Sequence, residues 1–263
     1  MSTTAEAELL SETTDGVLTL TLNRTRTLNS LTPGLLDALR AGVEGAAEDP
    51  DVRCVVLTGA GRAFSSGAAL DAFGGDGGEV DFERMLVEHY NPAILAMQKL
   101  EKPILASIRG IAAGAGASVA LAADFRIFAD DARMALLFTR IGLVPDAGAS
   151  YLLPRIVGLA RATEMLMLGD NVSAEQALDW GIAHRVVGAD DLDAETRAFA
   201  ERLAGLPRSA GMVKRLLRKT MTLNLPEQLS FEAKLQAEAG RSQDFSEGAT
   251  AFFEKRPARF TGH

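Results

Sequence analysis

The stretch "KPILASIRGIAAGAGASVALAADFRI" (residues 102–127) decides the fold class of this chain. It holds two apolar runs of strand character, separated by a glycine-bearing turn and a run of small residues typical of a tightly packed helix. The stretch "RCVVLTGAGRAFSSGAAL" (53–70) repeats the first half of this plan, a buried strand followed by a glycine-bearing loop. A chain that alternates strands and helices in this way predicts an α/β core.

The segments on either side extend this plan into a core with a helical tail. "VLTLTLN" (17–23) alternates apolar and polar residues after the turn "TTDG", which predicts a hairpin. "PGLLDALRAGVEGAAED" (33–49) has helical spacing with a proline at its start, and another helix is expected at about 82–100. From about residue 159 the pattern is helical, apart from a short strand at "AHRVV" (183–187). Helices are expected there near 190–204, 207–222, 226–240 and 244–255.

The composition is that of an ordinary globular protein, since 47% of the 263 residues are apolar and 24% are charged. A net charge of −8 disfavours nucleic acid as a partner, because phosphate binding needs a basic surface. Cys54 is the single cysteine and is expected to be a core thiol. "MSTTAEAELLSETT" lacks the basic and apolar regions of a secretory signal, and no run of about 18 apolar residues occurs. We therefore expect a cytoplasmic protein that does not cross a membrane.

Two loops can carry chemistry, "GRAFSSGAAL" (61–70) and "GIAAGAGAS" (110–118), because each follows a buried strand and opens onto a helix. Small side chains let a ligand approach the backbone, and free N–H groups at a helix start favour negative charge. Two such N–H groups directed at one point would form an oxyanion hole. The alternative is that the small residues serve tight packing of a helix against the sheet.

Other motifs point more weakly to other chemistry. "SSG" (65–67) lacks the preceding glycine of a nucleophile elbow. "GAGASV" (114–119) has two of the three glycines of a dinucleotide-binding turn, which leaves a nicotinamide-dependent dehydrogenase as a distant alternative. His89, His184 and His263 are far apart in sequence, so we expect no metal site and a structural or surface role for each.

Asp146 is the candidate for proton transfer. It is the lone acid in the otherwise apolar stretch "TRIGLVPDAGASYLLPR" (139–155). Its neighbours Leu143, Val144 and Pro145 are expected to desolvate it and to raise its pKa from about 3.9 toward a range useful for catalysis. The alternative is that Asp146 only caps a helix beginning near Ala147.

Five stretches together resemble the enoyl-CoA hydratase/isomerase (crotonase) superfamily, in family order from about residue 17 to the end of the chain. They are "VVLTGAGRAFSSGAAL", "KPILASIRGIAAGAGASVALAADFRI", "IGLVPDAGASYLLPRIVG", "SAEQALDWGIAHRVV" and "EGATAFFEKRPARFTG". The resemblance implies a ClpP/crotonase-like spiral of β-β-α turns, placed here at residues 1–200. It implies a C-terminal helical region, placed at 201–263, that joins subunits into homotrimers or hexamers. It also implies a coenzyme A thioester as substrate, with no metal and no redox cofactor.

The resemblance also assigns binding residues. The oxyanion hole would use the backbone N–H groups of Ala68 and Ala115. Residues expected along the coenzyme A path, some reaching a neighbouring subunit's ligand, are Arg24, Ser66, Ala68, Leu70, Phe252 and Lys255. The alternatives are a solvated turn charge for Arg24, core packing for Phe252 and a plain surface position for Lys255.

Three positions depart from the family's hydratases. Ser118 and Phe138 stand where those enzymes carry two glutamates, and neither side chain can act as a carboxylate base. They are expected to line the acyl pocket instead, with a further wall between "GGDGG" and "HYNP" (74–92). Ala69 replaces the family's usual aspartate, which leaves the anchoring of the first loop open.

The motif "GLVPDAG" (142–148) is similar to that of the ring-epoxide phenylacetyl-CoA isomerase and enoyl-CoA isomerase branch, where this aspartate shuttles a proton. The resemblance therefore predicts an acyl-CoA isomerase that uses Asp146 to move a double bond or to rearrange a ring-epoxide acyl-CoA. An enoyl-CoA hydratase and a non-catalytic acyl-CoA-binding protein are the alternatives.

Overall fold

The computed structural model describes residues 7–69 and 81–263, so Leu70 and the expected "GGDGG" wall lie outside the described residues. Its strands are β1 (Leu9–Thr14), β2 (Val17–Leu22), β3 (Cys54–Gly59), β4 (Ile104–Ile108), β5 (Ile111–Ala113), β6 (Phe125–Ala129), β7 (Arg133–Ala135), β8 (Asn171–Ser173) and β9 (Arg185–Val187). The larger sheet has the order β1-β2-β3-β4-β6-β9. β1 and β2 form the expected antiparallel hairpin, and the later neighbours in this sheet pair in parallel.

The smaller sheet, of order β5-β7-β8, supplies the second strand of two turns of the chain. β4 passes through Gly110 into β5, and β6 passes through a three-residue turn into β7. In two earlier turns of the spiral, isolated β-bridges stand in place of the second strand. They pair Leu31 with Ala68 and Ser65 with Ala112. The architecture is therefore the spiral of β-β-α turns that the resemblance implied. Ile111–Ala113, expected to be part of a helix entry, is a strand instead, because its backbone pairs with β7.

The helices are α1 (Pro33–Glu48), α2 (Phe82–Met85), α3 (Asn91–Lys99), α4 (Ala115–Ala122), α5 (Ala149–Leu168), α6 (Ala174–Asp179), α7 (Leu192–Ala204), α8 (Ser209–Lys219), α9 (Leu225–Ala239) and α10 (Gln243–Glu254). A π-helical turn, Leu86–Tyr90, joins α2 to α3. The last four helices lie within three residues of their expected positions. α5 begins ten residues before the expected start of the helical part, and Gly158 kinks it.

α4 explains why "AGASVALA" contains only small residues and two larger aliphatic ones. All eight of its positions are buried, between the sheet on one side and α3 and α5 on the other. A β-carbon added to Gly116 would lie 2.6 Å from the side chain of Ser65, closer than real contacts allow. Tight packing is therefore confirmed for this helix, and it leaves the N-terminal N–H groups of α4 next to the loop that follows β3.

The C-terminal helices are attached to the core by a half-buried ion pair. Lys214 on α8 donates to Oδ2 of Asp124 at 2.6 Å and to the carbonyl of Met97 at 3.2 Å. The same Asp124 oxygen accepts the N–H of Ile104 at 2.9 Å, at the start of β4. Burial lowers the pKa of Lys214, and the charge of Asp124 opposes that shift. The pair also lies near Cys54, the expected core thiol, whose pKa burial raises to about 12.

Several large apolar side chains on the C-terminal helices and their connections remain exposed in the single chain. They include Leu217, Met221, Leu225, Phe252 and Phe253, each at least 66% exposed. Apolar residues grouped on one region are typical of a surface that another subunit covers. Assembly into trimers or hexamers stays a prediction. Within the described residues, no helix is both long and apolar enough to span a membrane.

We expect Asp124→Ala to lower the free energy of unfolding by about 3 kcal/mol, because the ammonium group of Lys214 would stay buried without its counter-charge. Urea unfolding at equal protein concentrations measures the change. Asp170→Ala is the matched control, since it removes the exposed partner of Arg140 and should cost less than about 1 kcal/mol. Equal losses in the two variants would show that the Lys214 pair does not anchor α8.

Candidate active site

The two candidate oxyanion donors lie on loops that touch each other. Gly67 has φ +99°, and a β-carbon on it would lie 2.9 Å from the carbonyl of Ala113 and 3.6 Å from the N–H nitrogen of Ala115. Only glycine permits this approach. Among residues 7–69 and 81–263, neither the N–H of Ala68 nor that of Ala115 has a hydrogen-bond acceptor. Two free backbone donors are therefore available from adjoining loops.

The first loop is anchored without the aspartate that Ala69 replaces. The hydroxyl of Ser65 donates to the carbonyl of Asn29 at 2.8 Å and accepts the N–H of Gly67 at 3.2 Å. The backbone of Ser65 also pairs with both ends of β5, at Ile111 and Ala113. Ser65 and Asn29 are fully buried. This role of Ser65 was not predicted from the sequence, although a serine two residues before the glycine of the loop was a usable signal.

Asp146 has the environment expected of a catalytic carboxylate. It is half-buried, and its Oδ1 atom is shielded from solvent with no hydrogen-bond partner among the described residues. Burial raises the pKa of Asp146 to about 6. Val144 is 80% exposed, so the expectation that it desolvates Asp146 was wrong. Leu143 and Pro145 are half-buried, and their expected part in the desolvation stays a prediction.

The capping alternative for Asp146 is wrong. α5 begins at Ala149, its N-cap is Gly148, and no side chain caps it. Only the backbone carbonyl of Asp146 takes part, since it accepts the N–H of Ala149 at 3.0 Å. The carboxylate is therefore not engaged by the helix that follows it.

Ser118, on α4, contacts the Asp146 loop directly. Its hydroxyl donates to the carbonyl of Asp146 at 3.1 Å, and its side chain is completely buried. Because Ser118 lies three residues after Ala115, Asp146 is held about one helical turn from the second oxyanion donor. Phe138 is also buried, as part of the main hydrophobic core. The expected role of Ser118 and Phe138 in lining the acyl pocket stays a prediction.

Tyr90 is a residue that the sequence reasoning did not single out. It ends the π-helical turn, is 2% exposed, and its hydroxyl donates to the carbonyl of Leu31 at 3.3 Å. That carbonyl also accepts the N–H of Ala69. Burial and the nearby charge of Asp146 both raise the pKa of Tyr90. Tyr90 therefore lies between the first oxyanion loop and Asp146, as a neutral phenol.

Of the residues expected to bind coenzyme A, Arg24 and Ser66 lie at one turn after β2, whereas Phe252 and Lys255 lie at the C-terminal end of α10. Arg24 is bound internally, since it donates to Ser30 at 2.7 Å and pairs with Glu8 at 2.9 Å, so it is not a solvated turn charge. Ser66 is exposed and donates to the carbonyl of Thr27 at 2.8 Å. Phe252 is 80% exposed, so the core alternative for it is wrong, and Lys255 is exposed beside it. Their contacts with coenzyme A stay predictions.

Two of the histidines have structural roles, as expected. Nδ1 of His184 accepts the backbone N–H of Arg126 at 3.2 Å, and burial lowers the pKa of His184 to about 4 with help from the Arg126 charge. Nδ1 of His89 lies 3.0 Å from Oδ2 of Asp37. Among the described residues, no three His, Cys, Asp or Glu side chains form a metal-binding group.

The chain is similar along nearly its whole length to proteins of one family. The sequence profile described as "Enoyl-CoA hydratase/isomerase" matches residues 12–263. The "1,2-epoxyphenylacetyl-CoA isomerase" of Escherichia coli (strain K12) is 39% identical over 257 residues, covering 97% of this chain and 98% of that protein. A "Probable enoyl-CoA hydratase" of Rhodobacter capsulatus is 42% identical over 252 residues, covering 95% and 96%. The crystal structure of an enoyl-CoA hydratase from Bacillus anthracis superposes with a TM-score of 0.92 at 31% identity, covering 98% of this chain and 100% of that one.

Asp146→Asn is expected to raise the free energy of unfolding at pH 8 by about 1–3 kcal/mol, since one pKa unit corresponds to about 1.4 kcal/mol. The fold disfavours the charged carboxylate, so the cost to the wild type grows as pH rises from the ordinary pKa of 3.8 through about 6. Below both values the cost is absent.

Urea unfolding at pH 8 and at pH 4 measures this difference, which should be large at pH 8 and should nearly vanish at pH 4. Asp131→Asn, at an exposed carboxylate, is the control and should change stability little at either pH. A gain for Asp146→Asn that is the same at both pH values would contradict a desolvated carboxylate.

Proposed function

The chain belongs to the enoyl-CoA hydratase/isomerase family, and on that premise we propose that it is an acyl-CoA isomerase with Asp146 as its proton shuttle. The observation that carries the proposal is the Asp146 carboxylate, which is half-buried, lacks a partner for Oδ1 among the described residues and has a pKa raised to about 6. Such a carboxylate can exchange protons with a carbon acid near neutral pH. The side chains of Ser118 and Phe138 cannot exchange protons with a carbon acid in this way.

The reaction starts with the thioester carbonyl in the space next to the N–H groups of Ala68 and Ala115. These two donors stabilise the negative charge that develops on the carbonyl oxygen when a proton leaves the α-carbon. Asp146 takes that proton from C2 of a 3-enoyl thioester, and the electron pair is delocalised as a dienolate. Asp146 then returns the proton to C4, so the double bond moves from C3–C4 to C2–C3 with no net change in atoms or electrons.

A ring-epoxide acyl-CoA is a second substrate class within the same proposal. Its support is the name of the Escherichia coli relative, "1,2-epoxyphenylacetyl-CoA isomerase", at 39% identity over nearly both chains. The same oxyanion donors would hold the thioester carbonyl of either substrate. The acyl group decides between them, and residues 74–80 of the segment expected to form part of its pocket lie outside the described residues.

Hydration is the enzymatic alternative, because the Rhodobacter capsulatus relative is named "Probable enoyl-CoA hydratase". Addition of water by the family's two-glutamate route needs carboxylates where this chain has Ser118 and Phe138. Slow or absent hydration is therefore the expected result. A protein that binds acyl-CoA without turnover is the other alternative. We also propose that the enzyme works in the cytoplasm as a homotrimer or hexamer, in keeping with the exposed apolar side chains of its C-terminal part.

Deuterium incorporation from heavy water tests the proposal directly. Incubation with a 3-enoyl-CoA should give the conjugated 2-enoyl-CoA with deuterium on the acyl chain, read by NMR. Asp146→Asn should lower kcat by at least about 100-fold, because it removes the acid–base group. Asp131→Asn, at an exposed carboxylate, should leave kcat unchanged.

Three other results would each overturn part of the proposal. A 3-hydroxyacyl-CoA product formed from crotonyl-CoA at comparable rates would favour the hydratase. Thioester binding without any exchange would favour a binding protein. Full exchange by Asp146→Asn would remove Asp146 from the chemistry. The same assay with a ring-epoxide phenylacetyl-CoA identifies the acyl class.

The pH dependence follows from the raised pKa. Asp146 must be ionised to remove a proton, so kcat/KM should rise with pH, reach half its plateau near pH 6 and fall about tenfold per unit below that. Initial rates between pH 5 and 8.5 measure the profile, with protein fluorescence as a control for unfolding. A profile that stays flat down to pH 5 would contradict the role of Asp146 as the base.

A further inference from the structure

We propose that Ser118 is a positioning residue that fixes Asp146 relative to the oxyanion donors, an inference that rests on the proposed isomerase function. The position that carries a carboxylate in the family's hydratases would here hold another residue's carboxylate in place. The contact that carries the inference is the hydrogen bond from the Ser118 hydroxyl to the backbone carbonyl of Asp146, at 3.1 Å.

The Asp146 loop needs such a contact because its backbone is strained. Ala147 has φ +47°, a left-handed conformation that alanine rarely adopts, and Gly148 follows at φ +82°. Strain of this kind persists only where surrounding interactions hold it. Two donors hold the peptide group between Asp146 and Ala147, the hydroxyl of Ser118 and the N–H of Ala149. Ala147 itself is buried, 3% exposed.

The Ser118 hydroxyl has one proton and two acceptors within reach. The carbonyl of Asp146 lies at 3.1 Å, while that of Gly114, one turn earlier in the same helix, lies at 3.4 Å. The shorter distance favours the bond to Asp146. A bond to Gly114 would be a contact within the helix and would leave the Asp146 loop held only by Ala149.

The tether links the two parts of the site that must act together. Ala115, whose N–H is an oxyanion donor, begins α4, and Ser118 lies one turn further along the same rigid, fully buried helix. The loop that carries Asp146 is thus fixed to the element that holds the thioester oxygen. Because proton transfer depends on near-contact geometry, a small displacement of the base costs a large part of the rate.

The experiment compares the wild type with Ser118→Ala, Ser118→Cys and Ser118→Thr in the heavy-water exchange assay. Alanine removes the hydroxyl, and cysteine nearly keeps the volume but offers only a weak donor. Both should lower kcat by about 10- to 100-fold with KM changed less than about threefold. They should also displace the pH midpoint that Asp146 sets. Threonine keeps the hydroxyl and should retain most of kcat.

Ser107→Ala is the matched control. Ser107 is also buried, 1% exposed, and its hydroxyl bonds to the hydroxyl of Thr196 at 2.8 Å, away from the candidate site. This variant should lose stability to a similar degree as Ser118→Ala but keep kcat and the pH profile. If both variants lose activity equally, the effect of Ser118 is only structural and the inference is wrong.

A double-mutant cycle with Asp146→Asn separates positioning from direct contact with substrate. If Ser118 acts through Asp146, adding Ser118→Ala to Asp146→Asn should change the residual exchange rate less than about twofold. If the double variant instead loses the product of the two single-variant losses in rate, Ser118 contacts the substrate directly. Failure of the wild type to exchange any proton would overturn the proposed function. Normal kcat and pH profile in Ser118→Ala, with an active wild type, would overturn only this inference.

Discussion

The structure depends on the contact between two backbone segments, at Gly67 and at Ala113–Ala115. A β-carbon on Gly67 would be 2.9 Å from the Ala113 carbonyl, so a side chain there would force the loops apart. The contact sets two consecutive turns of the spiral against each other, and the bridge between Ser65 and Ala112 continues it. It also brings the N–H groups of Ala68 and Ala115 to adjoining positions. One packing constraint therefore also places the two donors of the proposed oxyanion hole.

The Asp146 carboxylate, unlike this contact, lowers the stability of the fold. Its Oδ1 atom has no hydrogen-bond partner in the part of the chain that the structure describes, and its pKa is raised. The fold is therefore less stable at neutral pH than it would be with a neutral side chain there. The left-handed backbone of Ala147 adds a further cost, of about 1–2 kcal/mol. Both costs fall beside α4, which is buried at all eight of its positions, and its packing offsets them. The site is thus a locally unfavourable arrangement held by a well-packed surrounding structure.

The sequence predicted those features that depend on local patterns. Alternation in "VLTLTLN", helical spacing after Pro33 and the small residues of "GAGAS" were sufficient for the hairpin, α1 and the buried helix. β5, β7 and β8 were missed because their apolar patterns do not stand out from the segments around them, and pairing with distant segments makes them strands. β9 has the same length and was predicted at "AHRVV". The family resemblance supplied the spiral that these short strands complete.

The residue types in the candidate site could be predicted from the sequence, but the contacts that these residues make in space could not. Asp146 was visible as a lone acid in an apolar stretch, while Val144, one of its three expected desolvating neighbours, is exposed to solvent. The contacts of Ser65 with Asn29, of Tyr90 with Leu31 and of Ser118 with Asp146 depend on which segments meet in space. They join residues 28 to 59 positions apart, a separation that local rules do not cover.

Main-chain oxyanion donors also bear on how new activities arise on this scaffold. An N–H group persists through almost any substitution, so the proposed oxyanion hole is largely insulated from point mutation. The proposed acid–base group is a side chain, and side chains at positions such as 118, 138 and 146 are replaced one codon at a time. Substitution at these positions would exchange one set of proton-transfer residues for another, while the thioester would still bind at the same backbone donors. Such a scaffold diversifies in reaction type more easily than in the class of molecule that it activates.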